Sequence, residues 1–349
     1  MPAPRLTIDL EAIATNWRAL DRASASGVQT AAVVKADAYG LGAAQVARAL
    51  AAAGARRFFV AYANEGATLR SALGPGPQIC LLCGHMDGDG DVIAQADLTP
   101  MLNSVEQVTR HLEALPAHPF GVQLDTGMNR LGMDEAEWEA AAPYVLEAGP
   151  EMLISHLACG DDPDHPMNEV QLARFHAMTD GTGLPRSLSA TAGILLGPRY
   201  HFDLTRPGIG LYGGAPYEAA LPVVRLSLPV VQVRSVAPGE TVGYAAAWQA
   251  EAPAMIATVL GGYADGILRS LSNRAVLFAG DVPCPVVGRV SMDALTVDVS
   301  HLPETPAWLD LLCAYQGLDD LAAGAGTIAY EILTRLSARL DRHYAEGAA

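Results

Sequence analysis

One lysine offers the first chemical possibility in this sequence. An apolar run over residues 31–34 ends at Lys35, and Tyr39, Gly40 and Gly42 follow before a helical pattern begins. A lysine at the end of a buried strand is partly desolvated, which lowers the pKa of its amine and makes the amine nucleophilic. The glycines would let a ligand approach the backbone, and the next helix would offer N–H groups to an anion. The same spacing also fits an ordinary strand whose last lysine reaches solvent.

Six segments extend this observation over nearly the whole chain. They are AVVKADAYGLG (residues 32–42), LDTGMNRLGM (124–133), RPGIGLYG (206–213), GGYADG (261–266), GRVSMD (288–293) and AYE (329–331). In composition and order they resemble the motifs of the alanine racemases, which use pyridoxal 5′-phosphate (PLP). The resemblance implies that the amine of Lys35 condenses with the PLP aldehyde to form an aldimine. PLP would then act as the electron sink when the substrate loses its α-proton.

The resemblance also assigns a second proton-transfer group, Tyr263. Inversion of an α-carbon by this route requires two such groups on opposite faces, and the Lys35 amine and the Tyr263 phenol would supply them. A tyrosine with an ordinary pKa near ~10 is a poor base at neutral pH, so a neighbouring cation must stabilise its phenolate. The residues alone also fit an interface tyrosine whose hydroxyl is hydrogen-bonded.

Further residues receive roles from the resemblance. Arg206 would face the pyridine nitrogen of PLP and keep it unprotonated, which disfavours transamination. By itself, Arg206 also fits a structural salt bridge at a barrel rim. His156 would lie beside the PLP ring and hydrogen-bond to Arg206, and Arg130 would lie near the PLP phenolic oxygen and the substrate. The donors expected around the PLP phosphate are Tyr39, Thr191, Gly208, Ile209 and Tyr330.

Three residues in the second half of the sequence imply a second subunit. Tyr263, Met292 and Asp293 lie far along the chain from Lys35. In the family, the corresponding residues enter the active site of the other subunit, where the backbone N–H of Met292 would meet the substrate carboxylate. The resemblance therefore implies a homodimer with composite active sites that binds a small amino-acid substrate.

The sequence departs from the family pattern at three places. Gln123 replaces the usual lysine, which is carbamylated in some relatives, so we predict no modified lysine here. Arg130 must then be oriented by the glutamine amide or by a neighbour. Ala190 replaces the usual Asn at the phosphate, where Thr191 keeps a hydroxyl. Asp37 also replaces an Asn, with an effect that the sequence does not define.

Short apolar strands alternate with helical segments up to about residue 211. Strands are predicted near residues 30–34, 58–61, 79–82, 99–102, 120–124, 152–155, 186–189 and 204–211, with helices such as 44–53 and 104–112 between them. This alternation predicts an α/β fold of parallel βαβ units. Eight units fit a (β/α)8 TIM-type barrel, and an open doubly wound sheet is the alternative.

The barrel prediction also places the chemistry. Barrel enzymes carry their active sites just past the C-terminal ends of the strands, and the loops after strands seven and eight often bind phosphate. Four candidate residues, Lys35, Arg130, His156 and Thr191, fall at or just after a predicted strand end, and Arg206 falls within the eighth strand.

Valine-rich strands separated by turns follow the barrel pattern. They are predicted near residues 223–236, 241–244, 255–260, 275–278, 285–290 and 295–299, and indicate a mainly β second domain. We therefore expect a PLP-binding barrel over residues 1–220 and a mainly β C-terminal domain over residues 221–349. We also expect this domain to contain a helix near 330–344 and to pair with an N-terminal strand near residues 4–10. Asp9, near the end of that strand, would cap the helix that follows it.

Composition excludes several functional classes. The net charge of −16 argues against nucleic acids and anionic membranes, which require clustered Lys and Arg. No apolar run is long enough to span a membrane, and the N-terminus lacks a signal-peptide pattern, so we expect a cytoplasmic protein. Five cysteines lack zinc or disulfide spacing, and Cys80 and Cys83 read as core thiols rather than metal ligands. A hydrophobic content of 50% also favours surface burial in an oligomer.

The expected function is interconversion of L-alanine and D-alanine, with D-alanine supplied for peptidoglycan. Three alternatives stay open, namely a racemase of another small amino acid such as serine, a PLP decarboxylase of the same architecture, and a PLP carrier of single-barrel type. The lack of a glycine triplet and of a catalytic cysteine motif argues against the decarboxylase. The predicted β domain argues against the carrier.

Overall fold

The computed structural model describes residues 3–304 and 306–345. The chain divides into two compact units. We call Ile13–Tyr212 with Pro216–Ala220 the barrel unit, and Met1–Ala12 with Gly213–Ala215 and Leu221–Ala349 the β unit. The domain limits expected from the sequence, 1–220 and 221–349, stay a prediction.

The chain begins with β1 (Arg5–Asp9) and α1 (Leu10–Ala23). Asp9 ends the strand and caps the helix, because its Oδ1 accepts the Ala12 N–H at 2.9 Å. The cap satisfies one of the amides that lack a partner at a helix N-terminus, and it confirms the predicted helix start.

The barrel unit contains the eight predicted strands. They are β2 (Gln29–Thr30) and β3 (Ala32–Val33), which form one interrupted strand, then β4 (Arg57–Val60), β5 (Gln78–Leu81), β6 (Leu98–Leu102), β7 (Gly121–Gln123), β8 (Leu153–Ile154), β9 (Arg186–Ser187) and β10 (Leu204–Thr205). Parallel pairing runs in sequence order from β3 to β9. The sheet closes because β10 pairs with β2 and the Arg206 N–H donates to Ser189 O at 2.8 Å. The (β/α)8 barrel is thereby confirmed, and the open sheet is excluded.

Helical segments connect these strands. They are α2 (Lys35–Gly40), α3 (Ala43–Ala53), α4 (Ala63–Leu73), α5 (Gly90–Gln95), α6 (Val105–Ala114), α7 (Glu135–Glu147), α8 (Met167–Thr179) and α9 (Thr191–Leu195). The two helices named from the sequence are confirmed as α3 and α6. α6 begins where Ser104 Oγ accepts the Gln107 N–H at 3.2 Å. Apolar side chains from helices and strands share a core that includes Val122, Trp138 and Phe175.

The eighth strand is shorter than predicted. β10 ends at Thr205, and Ile209–Tyr212 form a 3-10 turn instead of continuing the strand. Pro207 lacks the N–H that a longer ladder would use. The next amide, that of Gly208, donates to the Thr191 hydroxyl at 3.1 Å rather than to a strand.

The β unit is built on a mainly antiparallel sheet. Its elements after β1 are β11 (Val224–Val236), β12 (Thr241–Val242), β13 (Trp248–Gln249), β14 (Ala254–Leu260), β15 (Val276–Ala279), β16 (Val282–Pro285), β17 (Ala294–Asp298), β18 (Trp308–Leu312), α10 (Leu318–Ala325), α11 (Ala329–Thr334) and β19 (Asp341–Ala345). The long β11 pairs with β1, β14 and β18. These elements confirm the mainly β character of the region. No helix within the described ranges has the length and apolar character needed to cross a membrane.

Two predicted elements of the β unit are wrong. Residues 286–290 do not form a regular strand. Val286 makes an isolated bridge with Val297, and the Gly288 N–H then donates to Asn273 Oδ1 at 2.6 Å instead of continuing a ladder. The helix predicted over 330–344 ends at Thr334, and β19 follows. β19 pairs in parallel with β1, a partner from the opposite end of the chain that local sequence pattern cannot reveal.

Two buried histidines form a polar contact in the barrel unit. His85 follows β5 and His111 lies on α6, and their Nδ1 atoms are 3.0 Å apart. His111 Nε2 lies 3.1 Å from the carbonyl oxygen of His118 and must donate to it, so His111 Nδ1 accepts a hydrogen bond from the Nδ1–H of His85. Burial lowers the pKa of both rings below the usual 6.5. Protonation of both would place two N–H groups against each other.

We predict that acid destabilises the fold through this pair. Because the pKa values are lower in the folded state, the stability contribution is complete above about pH 6.5 and declines as the pH falls below it. The slope is up to ~1.4 kcal/mol per pH unit for each histidine that stays neutral. Chemical unfolding from about pH 8 to about pH 5 measures it. His85→Gln should flatten the slope. Equal slopes in the wild type and the variant would contradict the prediction.

Candidate active site

Lys35 directly follows Val34 at the C-terminal end of the first barrel strand, as predicted. Burial lowers the pKa of its amine below the usual 10.5, and the charges of Arg130 and Arg206 act in the same direction. The Cys83 thiol and the Glu65 carboxylate act in the opposite direction and raise the pKa of this amine. The structure therefore places three predicted site residues, Lys35, Arg130 and Arg206, close enough to influence one another, and the amine is neutral more often than that of a solvated lysine.

The backbone after Lys35 is strained. Residues 36–39 are all left-handed, with φ between 53° and 56°, although none is glycine. This conformation costs about 1–2 kcal/mol for each residue that carries a Cβ. Asp37 helps to hold the turn, because its Oδ1 accepts the Ala43 N–H at 2.7 Å at the start of α3. The residue that replaces the family's Asn thus has a structural role as a cap.

Three of the predicted phosphate donors lie together. Thr191 Oγ1, at the start of α9, accepts the N–H groups of Gly208 and Gly210 at 3.1 and 3.2 Å. A Cβ placed on Gly208 would overlap the hydroxyl of Tyr39. The Tyr39 ring is held against Tyr212, with ring centroids 4.6 Å apart. The loops after β9 and β10 therefore meet the turn after β3 at a small cluster of hydroxyl and amide groups, next to Ile209.

Arg206 is buried and held by the barrel itself. Its guanidinium donates to the Ser187 hydroxyl and to Ser155 O, and it lies 5.9 Å from the centre of the Phe59 ring. Burial lowers its pKa to about 10, so it stays charged at neutral pH. None of the ion pairs among the described residues includes Arg206, which removes the alternative of a structural salt bridge. The Arg206 charge is available to a ligand.

His156 is held neutral beside these cations. Burial lowers its pKa to about 3, and the charges of Arg206, Arg130 and Lys35 act in the same direction. The hydrogen bond expected between His156 and Arg206 is not among those of the described residues, because Arg206 donates to serine groups instead. A neutral imidazole at this position adds no charge to an already cationic site.

The loop that carries Arg130 is fixed without a modified lysine. Asp125 Oδ1 accepts three successive N–H groups, from Gly127, Met128 and Asn129, at 2.8–3.1 Å. Gln123 Nε2 donates to the carbonyl oxygen of the residue after Arg130, Leu131, at 3.2 Å. The glutamine amide thus orients the backbone around Arg130, which is one of the two possibilities expected from the sequence.

In the β unit, three predicted residues share one site. Tyr263 lies in a 3-10 turn whose backbone docks on the segment before β17. The N–H groups of Tyr263 and Ala264 donate to Ser291 O and Met292 O at 3.0 and 3.1 Å. Asp293 follows in the same segment. A cavity of about 430 Å³ lies beside Tyr263, and the side chains of Tyr263 and Met292 are both exposed.

Arg339 joins the two segments of this site. Its Nε lies 3.3 Å from Asp265 Oδ1 and its Nη1 lies 2.8 Å from Asp293 Oδ1. Asp265 is buried, and its Oδ2 also accepts the Gly262 N–H at 2.9 Å. A ligand that binds to either aspartate must therefore compete with Arg339 for the carboxylate. Tyr330 lies on α11 and is 41% exposed.

The structure adds a tyrosine that sequence reasoning missed. Tyr244 lies between β12 and β13 with 70% of its side chain exposed. The two alanines that follow it, Ala245 and Ala246, have left-handed φ of 60° and 47°, and Gly243 before it has φ of 79°. Strain of this kind persists where the surrounding structure or function requires it. A Gly-Tyr pair between two short strands was the only signal in the sequence, and it was read as the end of a strand.

Comparison with known proteins agrees with this geometry. The chain matches the models of "Alanine racemase, N-terminal domain" over residues 8–216 and "Alanine racemase, C-terminal domain" over residues 223–344. It is 68% identical to an alanine racemase of Cereibacter sphaeroides and 66% identical to one of Dinoroseobacter shibae, each over 349 residues and 100% of both chains.

Solved structures give the same result. A crystal structure of alanine racemase from Bartonella henselae with covalently bound pyridoxal phosphate matches with a TM-score of 0.94 and 36% identity, over 99% of this chain and 100% of that one. The biosynthetic alanine racemase from Pseudomonas aeruginosa matches with a TM-score of 0.92 and 38% identity, over 99% and 100%.

We predict that Gly208→Ala destabilises the barrel unit by about 1–3 kcal/mol, because its methyl group would overlap the Tyr39 hydroxyl. Removing that hydroxyl in a Tyr39→Phe background should recover part of the loss. Chemical unfolding of the two single variants and the double variant measures the coupling. Additive losses in the double variant would show that the two groups are not in contact.

Proposed function

The chain belongs to the alanine racemase family, and from this premise we propose that it interconverts L-alanine and D-alanine with PLP held at Lys35. The D-alanine enters peptidoglycan. The observation that carries the proposal is the lysine at the end of β3, with a lowered pKa and two arginines nearby. The chain is also 68% identical over its full length to curated alanine racemases.

The residues of the barrel unit fit PLP. Lys35 offers an amine to the aldehyde, and the cluster of Tyr39, Thr191 and Gly208 offers hydroxyl and amide groups to the phosphate. Gly208 allows the close backbone approach that a larger residue would block. When bound, PLP withdraws electrons from the substrate α-carbon and so makes its proton acidic.

Lys35 holds and moves the first proton. It is the only lysine in the sequence, so an aldehyde that attaches to a lysine side chain can do so only here. Burial, followed by the charge of Arg130, lowers the pKa of its amine. The larger neutral fraction makes the amine a better base than that of a solvated lysine. We assign to Lys35 proton transfer at one face of the α-carbon.

A tyrosine of the β unit supplies the second face. Tyr263 is the candidate from the sequence, and Tyr244 is the candidate from the structure. Tyr244 is the more exposed of the two, 70% against 45%, and strained residues follow it. Strain retained at an exposed aromatic residue supports a functional role, so Tyr244 is the stronger candidate for the second proton transfer. Tyr263 lines the cavity of about 430 Å³ in the same unit.

The arginines and the histidine set the electrostatics. Arg206 keeps its charge at neutral pH, since its pKa is lowered only to about 10. A charged guanidinium beside the pyridine nitrogen would keep that nitrogen unprotonated and limit stray protonation of the cofactor. His156 stays neutral, and Arg130 would bind the PLP phenolic oxygen and the substrate carboxylate.

We propose that the active form is a homodimer. Tyr244, Tyr263, Met292 and Tyr330 are all exposed large hydrophobic residues of the β unit. A second copy would cover such a surface, and in each composite site one copy would supply Lys35 while the other supplies the tyrosine, Met292 and Asp293. A cytoplasmic location completes the proposal, in keeping with five free cysteines.

We predict that Lys35→Ala abolishes both the absorption band of covalently bound PLP and the racemase activity, because no other lysine can replace it. The measurements are an absorption spectrum of the protein as purified and a chiral assay of product from L-alanine. A panel that includes L-serine and a carbon dioxide assay separates alanine racemisation from the alternatives. Equal turnover of serine would shift the assignment to a broader racemase, and carbon dioxide release would shift it to a decarboxylase.

A second experiment identifies the tyrosine. Tyr244→Phe and Tyr263→Phe each remove one hydroxyl and leave the ring in place. The variant of the residue that moves the second proton should lose roughly 10²–10⁴-fold in kcat, as for removal of a general acid–base group, and the other variant should change kcat much less. Wild-type rates for both variants would refute a two-base mechanism with a tyrosine.

A further inference from the structure

Glu65, which acts on the pKa of Lys35, also joins two strand ends next to that lysine. It is the third residue of α4. Its Oε1 accepts the Ala36 N–H at 2.7 Å, and its Oε2 accepts the Ala61 N–H at 2.7 Å and the Tyr62 N–H at 3.2 Å. Ala36 directly follows Lys35, whereas Ala61 and Tyr62 follow β4, the strand that pairs with β3. One carboxylate therefore ties the peptide after Lys35 to the neighbouring loop.

The tied peptide is the one where the backbone changes direction. Ala36 is the first of the left-handed residues after Lys35, with φ of 53°. An alanine does not adopt this conformation without compensation. The bond from a charged carboxylate to its N–H is short and is of the stronger, charge-assisted kind. Glu65 thus stabilises the conformation that determines where the Lys35 side chain starts.

Glu65 also contributes charge. Several groups act on the Lys35 amine, and among them burial, Arg130 and Arg206 lower its pKa, while Cys83 and Glu65 raise it. His156 lies in the same electrostatic environment and is neutral. Glu65 is the carboxylate in this set, so it offsets part of the cationic field at the amine.

We propose that Glu65 is a positioning residue for Lys35: its carboxylate holds the left-handed turn after the lysine against the β4 loop and supplies the negative charge that balances the nearby arginines. The inference rests on the proposed function for the part that concerns turnover. The part that concerns structure does not depend on the proposed function. It states only that Glu65 stabilises the turn after Lys35 and raises the pKa of the Lys35 amine.

The test uses the fact that Lys35 is the only lysine. Full-length protein labelled with ¹³C at lysine Cε and prepared without PLP gives a single side-chain signal, whose pH titration reports the pKa of this amine. Glu65→Gln removes the charge and one acceptor, and it should lower that pKa by roughly one unit. In the PLP-loaded enzyme the same variant should lower kcat roughly tenfold and change KM much less, because the lysine is displaced while substrate contacts remain.

One further variant separates the effect of the Glu65 charge from the effect of its side-chain length, and a second variant serves as a control. Glu65→Asp keeps the charge but shortens the side chain, so the pKa should stay near that of the wild type while kcat falls and hydrogen exchange at the Ala36 N–H accelerates. Glu137→Gln is the matched control, since Glu137 is the third residue of α7 and its carboxylate accepts the Asp134 N–H in the same capping arrangement. It should change neither the pKa of Lys35 nor kcat.

The results of these experiments either support or overturn the proposed role of Glu65. The proposal is overturned if Glu65→Gln and Glu65→Asp both keep the wild-type pKa and kcat, or if Glu137→Gln reproduces their effects, which would indicate a general loss of stability. If Glu65→Gln does not fold, Glu65→Asp carries the test through hydrogen exchange and kcat. Failure of the proposed function would appear differently, as absence of racemisation in the wild type, while the pKa shift of Lys35 would still report on Glu65.

Discussion

The central constraint on this molecule is a concentration of positive charge at the C-terminal end of a closed barrel. Burial of the Arg206 guanidinium and of the Lys35 amine carries a desolvation cost. This cost lowers the stability of the fold, so fold stability alone does not explain why these groups are buried. The cost of Arg206 is offset by the Ser187 hydroxyl and by Ser155 O, neither of which removes its charge. His156 remains neutral at a pKa of about 3. Such a site is stabilised when an anion binds, and a phosphate and a carboxylate together provide the missing charge.

Runs of successive left-handed residues that carry a Cβ occur at the two places where the chemistry is proposed, and single left-handed residues such as Ala117 and Phe202 occur elsewhere. In the barrel unit such a run follows Lys35, and in the β unit one follows Tyr244. At about 1–2 kcal/mol per left-handed residue, the turn after Lys35 costs as much as a substantial core mutation. The regular parts of the barrel show no need for such geometry, since the strands themselves pair in simple parallel order.

Periodicity was sufficient for the barrel because each strand is a short apolar run and each helix carries its own start signal, as at Ser104. It was insufficient where structure depends on distant partners. β19 was read as helix because its partner, β1, lies at the other end of the chain. The eighth strand was read as too long because apolar residues continue past Pro207, although that proline ends the ladder. The motif identifies Lys35, but no local pattern predicts that residues 36–39 form a left-handed turn, and the sequence around Tyr244 gives only a strand-like signal.

The exchange of a lysine for Gln123 has an electrostatic consequence as well as a structural one. A carbamylated lysine is an anion, and beside Arg130 it would offset the arginine charge. The amide of Gln123 instead donates to Leu131 O and has no net charge, so it orients the backbone next to Arg130 without neutralising the guanidinium. Arg130 is accordingly the largest charge effect on the Lys35 amine after burial itself. Among the groups that act on the Lys35 amine, the carboxylate that opposes this effect is that of Glu65. The same carboxylate accepts the Ala36 N–H, so one side chain both holds the turn and offsets the positive charge at Lys35.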